Sequence, residues 1–135
     1  MKKIFSFGLH LMLDFYGCAP KLLGDKKLCY DLLDKLPPFL GMQALTPPFV
    51  INAPGNEERG GKDPGGFSCY IIIAESHISL HTFVKRGFVS IDVYSCKEFD
   101  SNFATKYFED AFKPEGKEVN LINRGSYYPP QNTHF

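Results

Sequence analysis

The chain carries no excess of charge of either sign, which argues against partners that bind through bulk electrostatics. Its 135 residues include 15 basic and 15 acidic side chains, so the formal net charge at pH 7 is zero. Nucleic acids and anionic membrane surfaces attract proteins through large basic patches. We therefore expect neither a nucleic-acid partner nor a membrane partner.

Long apolar runs are also missing. No stretch approaches the roughly 20 apolar residues that a membrane-spanning helix needs. Lys2 and Lys3 precede an apolar segment, as in a signal peptide, but His10 and Asp14 interrupt that segment and its alternation is typical of a strand. We expect a strand here.

Paired cysteine spacings of the kind that bind zinc do not occur. The four cysteines are widely separated, namely Cys18, Cys29, Cys69 and Cys96. Without a CxxC pair or a mark of secretion, free thiols in a reducing compartment are the default. The sequence thus predicts a cytoplasmic protein with no metal.

The residues that are present indicate one folded domain over 1–135, since 44% of the side chains are hydrophobic. The periodicity predicts a series of elements in the order strand 4–16, helix 20–36 ended by Pro37-Pro38, edge strand 42–52, loop 52–66, strand 67–74, a hairpin over 74–96, helix 101–113, strand 117–124 and a loose tail 126–135. We expect an α+β fold. It is a two-layer α/β sandwich whose antiparallel sheet has two helices on one face.

The hairpin over 74–96 divides its side chains between two contrasting faces. Alternation predicts an apolar face with the members Ile78, Leu80, Thr82, Val89, Ile91 and Val93. The other face carries imidazole, carboxylate and thiol groups, with the members His77, Ser79, His81, Ser90, Asp92, Tyr94 and Cys96. Together with His10, Asp14, Ser68 and Tyr70, these residues form a polar sheet face on which chemistry or a partner can be based.

Three stretches resemble the S-adenosylmethionine decarboxylase family in its short prokaryotic form. Residues 75–82 (ESHISLHT) and 87–96 (GFVSIDVYSC) match its central signature. Residues 8–18 (GLHLMLDFYGC) resemble its first strand, and Arg124-Gly125 its last. The resemblance covers nearly the whole chain. It implies active sites at or near a dimer interface, so we expect a homodimer of αβ units.

The resemblance implies that the chain cuts itself between Glu75 and Ser76. The products are a β chain of residues 1–75 and an α chain of residues 76–135, and Ser76 becomes a pyruvoyl group. That cofactor forms a Schiff base with the substrate amine and accepts electrons as CO₂ leaves. The alternative reading of Ser76 alone is an ordinary serine beside a turn.

Three further residues acquire roles from the same resemblance. His81 is the base that removes the α-proton during processing, and Ser68 assists by hydrogen-bonding the rearranging carbonyl. Cys96 is the general acid that returns a proton to the substrate. Without the resemblance, His81 and Cys96 read as core residues, and His77 with His81 as a metal pair that lacks a third ligand.

At two positions where the family binds the adenosine of its substrate, this chain has different residue types. Lys62 stands where the family stacks an aromatic ring on adenine, and Lys85 where it places a glutamate on the ribose. S-adenosylmethionine remains the favoured substrate of a decarboxylase of polyamine synthesis. The alternative is L-arginine or L-ornithine, with acidic loop partners in Glu57, Glu58 and Asp63. The alternative for the loop 52–66 is that it is exposed to solvent and contacts no substrate. A further alternative is an uncleaved, non-catalytic homologue that binds a partner through its polar face.

Overall fold

Alternating apolar side chains build a six-stranded antiparallel sheet in this computed structural model, which describes residues 6–129. The elements in chain order are β1 (Gly8–Tyr16), α1 (Pro20–Leu23), α2 (Lys26–Phe39), β2 (Phe49–Ala53), β3 (Gly66–Ile73), β4 (Ser76–Phe83), β5 (Phe88–Ser95), α3 (Ser101–Phe112) and β6 (Gly116–Arg124). The strands lie in the order β2-β3-β4-β5-β1-β6. The helices cover one face of the sheet, which confirms the predicted α+β class.

The core lies between the helices and one face of the sheet. Every apolar-face residue predicted for the hairpin is at most 2% exposed, namely Ile78, Leu80, Thr82, Val89, Ile91 and Val93. They meet buried residues of β1 and of the helices, including Leu11, Leu13, Phe15, Leu33, Leu36, Phe108 and Phe112. Each fully buried side chain of this size contributes about 1.5–3 kcal/mol of transfer free energy. The opposite face of the sheet has no covering layer in residues 6–129.

The predicted helix 20–36 is two helices, so the helical layer has three members. Gly24 ends α1, and Asp25 caps α2 by accepting a hydrogen bond from the Leu28 N–H at 3.0 Å. The apolar spacing on both sides of this break is compatible with one continuous helix. The break follows from the capping aspartate, whose side chain satisfies an amide that otherwise has no partner.

The predicted stop at Pro37-Pro38 is wrong, because α2 continues to Phe39. A proline lacks an N–H, but near the end of a helix its carbonyl still accepts hydrogen bonds. Here the Pro37 carbonyl accepts from the N–H groups of Leu40 and Met42, at 3.0 and 2.9 Å. Pro37 is buried, and its packing favours the helical conformation.

The second strand is shorter than predicted, because β2 begins only after Pro47-Pro48. Its edge position is confirmed, since it pairs with β3 alone. The loop that follows contains one short turn of 3₁₀ helix, Glu57–Arg59. Residues 4 and 5 of the first predicted strand and residues 130–135 of the predicted tail lie outside the described residues.

Two shorter predictions hold. Helix α3 begins after Asp100, whose carboxylate accepts the Phe103 N–H at 3.0 Å, as a capping aspartate should. The last strand, β6, occupies the other edge of the sheet beside β1. No helix within residues 6–129 has the length and apolar character required to cross a membrane.

Candidate active site

A tight turn joins β3 to β4 and places Ser76 in an unfavourable backbone conformation. The turn consists of Ala74 and Glu75, and Ser76 follows with φ of 152°. Residues with a Cβ rarely adopt positive φ, and such outliers cost on the order of 1–3 kcal/mol. The strained residue is therefore the one directly after the Glu75–Ser76 bond, which the sequence predicts to break.

A backbone donor points at the carbonyl of that same bond. The Cys96 N–H donates to the Glu75 carbonyl oxygen at 2.9 Å. A fixed N–H at this position polarises the carbonyl and can stabilise negative charge that develops on its oxygen. The turn is held in place by Gln43, whose N–H donates to a Glu75 carboxylate oxygen at 3.2 Å and whose carbonyl accepts the Ala74 N–H.

The thiol of Cys96 lies just past the end of β5 and is exposed. The other three cysteines are buried, and burial raises the pKa of the Cys18 thiol to about 11. Cys96 is therefore the accessible thiol among residues 6–129. Its position beside Glu75 and Ser76 suits a proton donor at the predicted cleavage site.

Ser68 and His81 meet at the other end of the same two strands. They face each other across β3 and β4, and the Ser68 hydroxyl oxygen lies 3.1 Å from His81 Nδ1. The His81 ring is exposed on the open face of the sheet. The structure thus joins these two predicted residues into one hydrogen-bonded pair.

The structure does not bring this pair to Ser76 within one chain. Ser76 begins β4, and His81 lies five residues along the same strand. At about 3.3 Å per residue, the two positions are roughly 16 Å apart. The four predicted catalytic residues therefore form two groups, Ser76 with Cys96 and Ser68 with His81.

Imidazole and carboxylate groups fill the space between the two ends on the open face. His10 Nε2 lies 2.8 Å from an Asp92 carboxylate oxygen. Burial lowers the pKa of His77, the negative charge of Asp92 opposes this shift, and the neighbouring His10 and Arg124 lower the pKa further. Within residues 6–129, no group of three His, Cys, Asp or Glu side chains is placed to hold a metal ion.

Asp14 lies on this open face at β1 and carries a shifted carboxyl group. Partial burial raises its pKa, and the negative charges of Glu118 and Asp92 raise it further. Tyr16, two residues along the strand, donates a hydrogen bond to Glu118. These residues connect the middle of the face to the end that holds Ser68 and His81.

Two of the three acidic residues predicted to bind a cationic substrate, Glu57 and Asp63, already accept hydrogen bonds from other groups of the chain. The Arg86 guanidinium donates to Glu57 Oε2 from Nε at 2.8 Å and also from Nη2. The Asp63 carboxylate accepts the Gly65 N–H at 2.8 Å. Glu57, Glu58 and Lys85 line one cleft of about 310 Å³ at the loop.

A second cleft, of about 420 Å³, opens beside the Ser68–His81 pair. Three aromatic rings and two basic side chains line it, namely Tyr16, Phe83, Phe88, Lys62 and Arg86. We call it the aromatic cleft. Alternation places Phe83 on the same face of β4 as His81. The sequence reading missed this cleft, although aromatic residues at three neighbouring strand ends were a usable signal.

Comparison with known proteins gives one consistent result. The family model described as S-adenosylmethionine decarboxylase matches residues 9–125. A Pyrococcus abyssi protein named S-adenosylmethionine decarboxylase proenzyme is 31% identical over 121 residues, which cover 89% of this chain and 80% of that protein. A Moorella thermoacetica protein of the same name is 28% identical over 127 residues, 93% of this chain and 94% of its own.

A solved structure agrees at the level of fold. The crystal structure of the adenosylmethionine decarboxylase from Aquifex aeolicus superposes with a TM-score of 0.74 at 20% identity, covering 98% of this chain and 100% of that one. Fold and matched sequence together define a decarboxylase of the self-processing, pyruvoyl-dependent class. More particularly, the chain belongs to the S-adenosylmethionine decarboxylase family. The predicted family and enzyme class are confirmed.

Proposed function

We propose that the chain is a proenzyme that cleaves itself at Glu75–Ser76 and then decarboxylates S-adenosylmethionine for polyamine synthesis. The observation that carries the proposal is the Glu75 carbonyl, which accepts the Cys96 N–H at 2.9 Å and precedes a serine with φ of 152°. The names of the relatives supply the substrate.

In the proposed cleavage, the Ser76 hydroxyl oxygen bonds to the Glu75 carbonyl carbon. The carbon–nitrogen bond of the peptide then breaks, leaving an ester and a free amine. The Cys96 N–H stabilises the oxygen that becomes negative during this step. Removal of the Ser76 α-proton expels the Glu75 carboxylate, and water then releases ammonia from the new end of the α chain.

The residues around Ser76 fit the pyruvoyl group that results. This group supplies an electrophilic carbonyl and an electron sink, which ordinary side chains lack. The Cys96 thiol is exposed beside it and can deliver a proton to the substrate carbon. Ser76 itself is only partly buried, so an amine can reach the site.

The separation of the two residue groups supports a homodimer in which each site takes residues from both chains. His81 lies too far along β4 to reach the Ser76 of its own chain. The open sheet face exposes large apolar side chains, namely Phe49, Ile51, Tyr70, Ile72 and Ile122. Two such faces packed about a two-fold axis, with their strands antiparallel, place each turn beside the partner's Ser68–His81 end.

Cleavage is tested by intact mass and a denaturing gel. The purified protein should run as two fragments split at Glu75–Ser76, the α chain being lighter than a serine-terminated fragment by one ammonia. Ser76→Ala should leave one unbroken chain. An unbroken wild-type chain with an ordinary serine would refute the proposal and revive the non-catalytic homologue.

The substrate is tested by CO₂ release from S-adenosylmethionine, arginine and ornithine in parallel. We expect release from S-adenosylmethionine alone, because Glu57 and Asp63 are already engaged with Arg86 and the Gly65 N–H. Release from arginine or ornithine instead would refute the substrate assignment while leaving the cleavage chemistry intact.

Sharing of the site between chains has its own test. A Ser76→Ala chain co-expressed with a His81→Ala chain forms heterodimers that contain one complete site if residues are shared. The His81→Ala chain should then be cut in the mixture but not when expressed alone. Absence of cutting in verified heterodimers would show that His81 acts within its own chain.

The cytoplasm is part of the proposal, because four cysteines without a disulfide suit a reducing compartment. Labelling of the exposed Cys96 by a thiol reagent in intact cells, before any lysis, would test whether that thiol is free there. Labelling confined to the reduced, lysed sample would argue against this location.

A further inference from the structure

Cys96 lies at a bend whose shape is held by the residues on either side of it. Strand β5 ends at Ser95, and the chain bends at Cys96 and Lys97. The Ser95 hydroxyl accepts the Lys97 N–H at 2.9 Å and donates to the Lys97 carbonyl oxygen, also at 2.9 Å. Serine side chains commonly stabilise bends through such short-range hydrogen bonds to the backbone. The two peptide groups that follow Cys96 are thereby tied to one hydroxyl.

Ser95 itself is held firmly by its surroundings. It is 0% exposed, and its backbone pairs with β1 on one side and with β4 on the other. A Cβ on Gly8 would lie 2.1 Å from the Ser95 carbonyl oxygen, so β1 packs directly against this residue. A hydroxyl on a residue held this tightly has a fixed position. It therefore fixes the bend, and with it the Cys96 N–H that contacts the Glu75 carbonyl.

Lys97 connects this bend to the segment that follows α2. Its ammonium donates a hydrogen bond to the Gly41 carbonyl oxygen at 2.7 Å. Gly41 has φ of 70°, which glycine tolerates, and a Cβ there would lie 3.2 Å from the same ammonium. Two residues further on, the Gln43 carbonyl accepts the Ala74 N–H, and the Gln43 N–H donates to the Glu75 carboxylate. The lysine thus reaches the segment that holds the cleavage turn.

The turn at the Glu75–Ser76 bond is held from two sides, and Lys97 joins the two. The Cys96 N–H contacts the Glu75 carbonyl oxygen at 2.9 Å on one side, and Gln43 contacts the turn on the other. A donor to a developing oxyanion must lie about 2.7–3.1 Å from the oxygen, and a displacement of roughly 1 Å can slow a reaction about 10²-fold. One exposed hydrogen bond contributes little to global stability. Control of position is therefore the effect expected of Lys97.

Resting on the proposed function, we infer that Ser95 and Lys97 are positioning residues for self-cleavage, which hold the Cys96 N–H against the Glu75 carbonyl. In the part of the chain that the structure describes, the hydrogen bonds of both side chains go to backbone groups and not to the reacting atoms. The step that they assist is the acyl shift. In this step the Ser76 oxygen bonds to the Glu75 carbonyl carbon, the carbon–nitrogen bond breaks, and the hydroxyl proton passes to the leaving nitrogen.

The role of Lys97 is tested by the rate of precursor cleavage. Lys97→Met should slow cleavage about tenfold, whereas Lys97→Arg, which can still donate to Gly41, should stay within about threefold of the wild type. Lys26→Met, at an exposed position at the start of α2, is the control and should match the wild type. Time courses of the precursor band give the rates, and circular dichroism melting shows that each variant is folded. A folded Lys97→Met precursor that is cut at the wild-type rate would overturn the inference.

The role of Ser95 is tested by two substitutions of nearly equal shape. Ser95→Thr keeps the hydroxyl and Ser95→Val replaces it with a methyl group, so both crowd the buried position to the same extent. Cleavage should be about tenfold slower in Ser95→Val than in Ser95→Thr. Circular dichroism melting again establishes that both are folded at the assay temperature. Equal cleavage rates in the two variants would show that the hydroxyl does not position the bend.

Hydroxylamine assigns the effect to one step, because this nucleophile splits an ester far faster than a peptide bond. His81→Ala lacks the proposed base of the later elimination, so its ester should form and be cut by excess hydroxylamine. Adding Lys97→Met to His81→Ala should slow this cutting by the same factor as it slows cleavage of the wild type. Equal cutting with and without Lys97→Met would place Lys97 after the acyl shift and overturn the inference.

These outcomes are distinct from a failure of the proposed function. A wild-type chain that is never cut at Glu75–Ser76 would refute the proposed function itself. A wild-type chain that is cut there, while Lys97→Met and Ser95→Val are cut equally fast, would overturn only the positioning roles.

Discussion

The two ends of the β3–β4 hairpin are built differently, although the same two strands form both. At the turn end, the notable groups belong to the backbone: a strained Ser76, the Glu75 carbonyl and the Cys96 N–H. At the loop end they are side chains, the Ser68–His81 pair beside a cleft. The turn end can make an electrophile and the loop end can move protons and hold a ligand. Under the proposed function, a second chain brings the two ends together, because a paired sheet is rigid and holds them apart within one chain.

The largest expected effect comes from removing the imidazole at the loop end, which we propose to transfer the proton during cleavage. His81→Ala should slow cleavage by about 10²- to 10⁴-fold, the range by which a positioned acid–base group accelerates a reaction. The time course of the precursor band on a denaturing gel measures this. His77→Ala, on the same face of β4, is the control and should cleave normally. Wild-type cleavage in His81→Ala would leave the loop end without a role in processing.

A pair of variants at Cys96 separates its backbone from its thiol. Cys96→Ala keeps the N–H that contacts the Glu75 carbonyl, so cleavage should continue while CO₂ release falls. Cys96→Pro removes the N–H, and cleavage should slow by about 10²- to 10³-fold, as when one donor to a developing oxyanion is lost.

Gel densitometry gives the cleavage rates of the two Cys96 variants, and CO₂ release gives turnover. Circular dichroism melting shows whether Cys96→Pro is folded. Equal cleavage rates in the two folded variants would contradict the role given to the backbone donor.

Two glycines test how tightly each end is packed. A Cβ at Gly8 would lie 2.1 Å from the Ser95 carbonyl oxygen at the turn end, and one at Gly66 would lie 1.9 Å from the Thr82 carbonyl oxygen at the loop end. Gly8→Ala and Gly66→Ala should each lower the free energy of unfolding by about 1–3 kcal/mol, because neither backbone can yield without disturbing the sheet.

Urea unfolding in the Ser76→Ala background measures both glycine variants without the complication of cleavage. Gly116→Ala is the matched control, since a Cβ there meets nothing within 4 Å. Stability equal to that of the control at either end would mean that the end is looser than the structure indicates.

The smallest expected effect belongs to His77, which follows Ser76 directly at the turn end of β4. Burial lowers its pKa below the ordinary value of 6.5, so between these two values the unfolded chain binds more protons than the folded chain. Stability should therefore rise with pH through this interval and level off above about 6.5. His77→Asn should flatten that part of the profile, which urea unfolding at several pH values can measure. An unchanged slope would assign the effect to another group.

Much of the fold is encoded locally and could be predicted. Alternation in β4 and β5 set the faces of the hairpin, and the Asp100 cap set the start of α3. The division of the first helix could not be read from apolar spacing, because the spacing runs through Gly24 unbroken. The continuation through Pro37 depended on tertiary burial, which overrode the local penalty of a proline.

The parts of the candidate site that consist of side chains could be predicted from the sequence, whereas the backbone donor could not. Ser68 and His81 lie together because strand register places them opposite each other. The Cys96 N–H left no trace in the sequence, since every residue except proline has such a group. Lys62 and Arg86 come from distant loops, and their meeting around the aromatic cleft depends on how those loops fold.

The backbone strain at Ser76 exists only while the sheet holds that residue in place. In an unfolded chain the φ torsion of Ser76 can relax, and the Cys96 N–H is not held against the Glu75 carbonyl. Neither feature then promotes cleavage of the Glu75–Ser76 bond. Under the proposed function, maturation is thereby tied to successful folding. Only a correctly folded chain is then cleaved and becomes active, and a misfolded chain stays an uncleaved precursor.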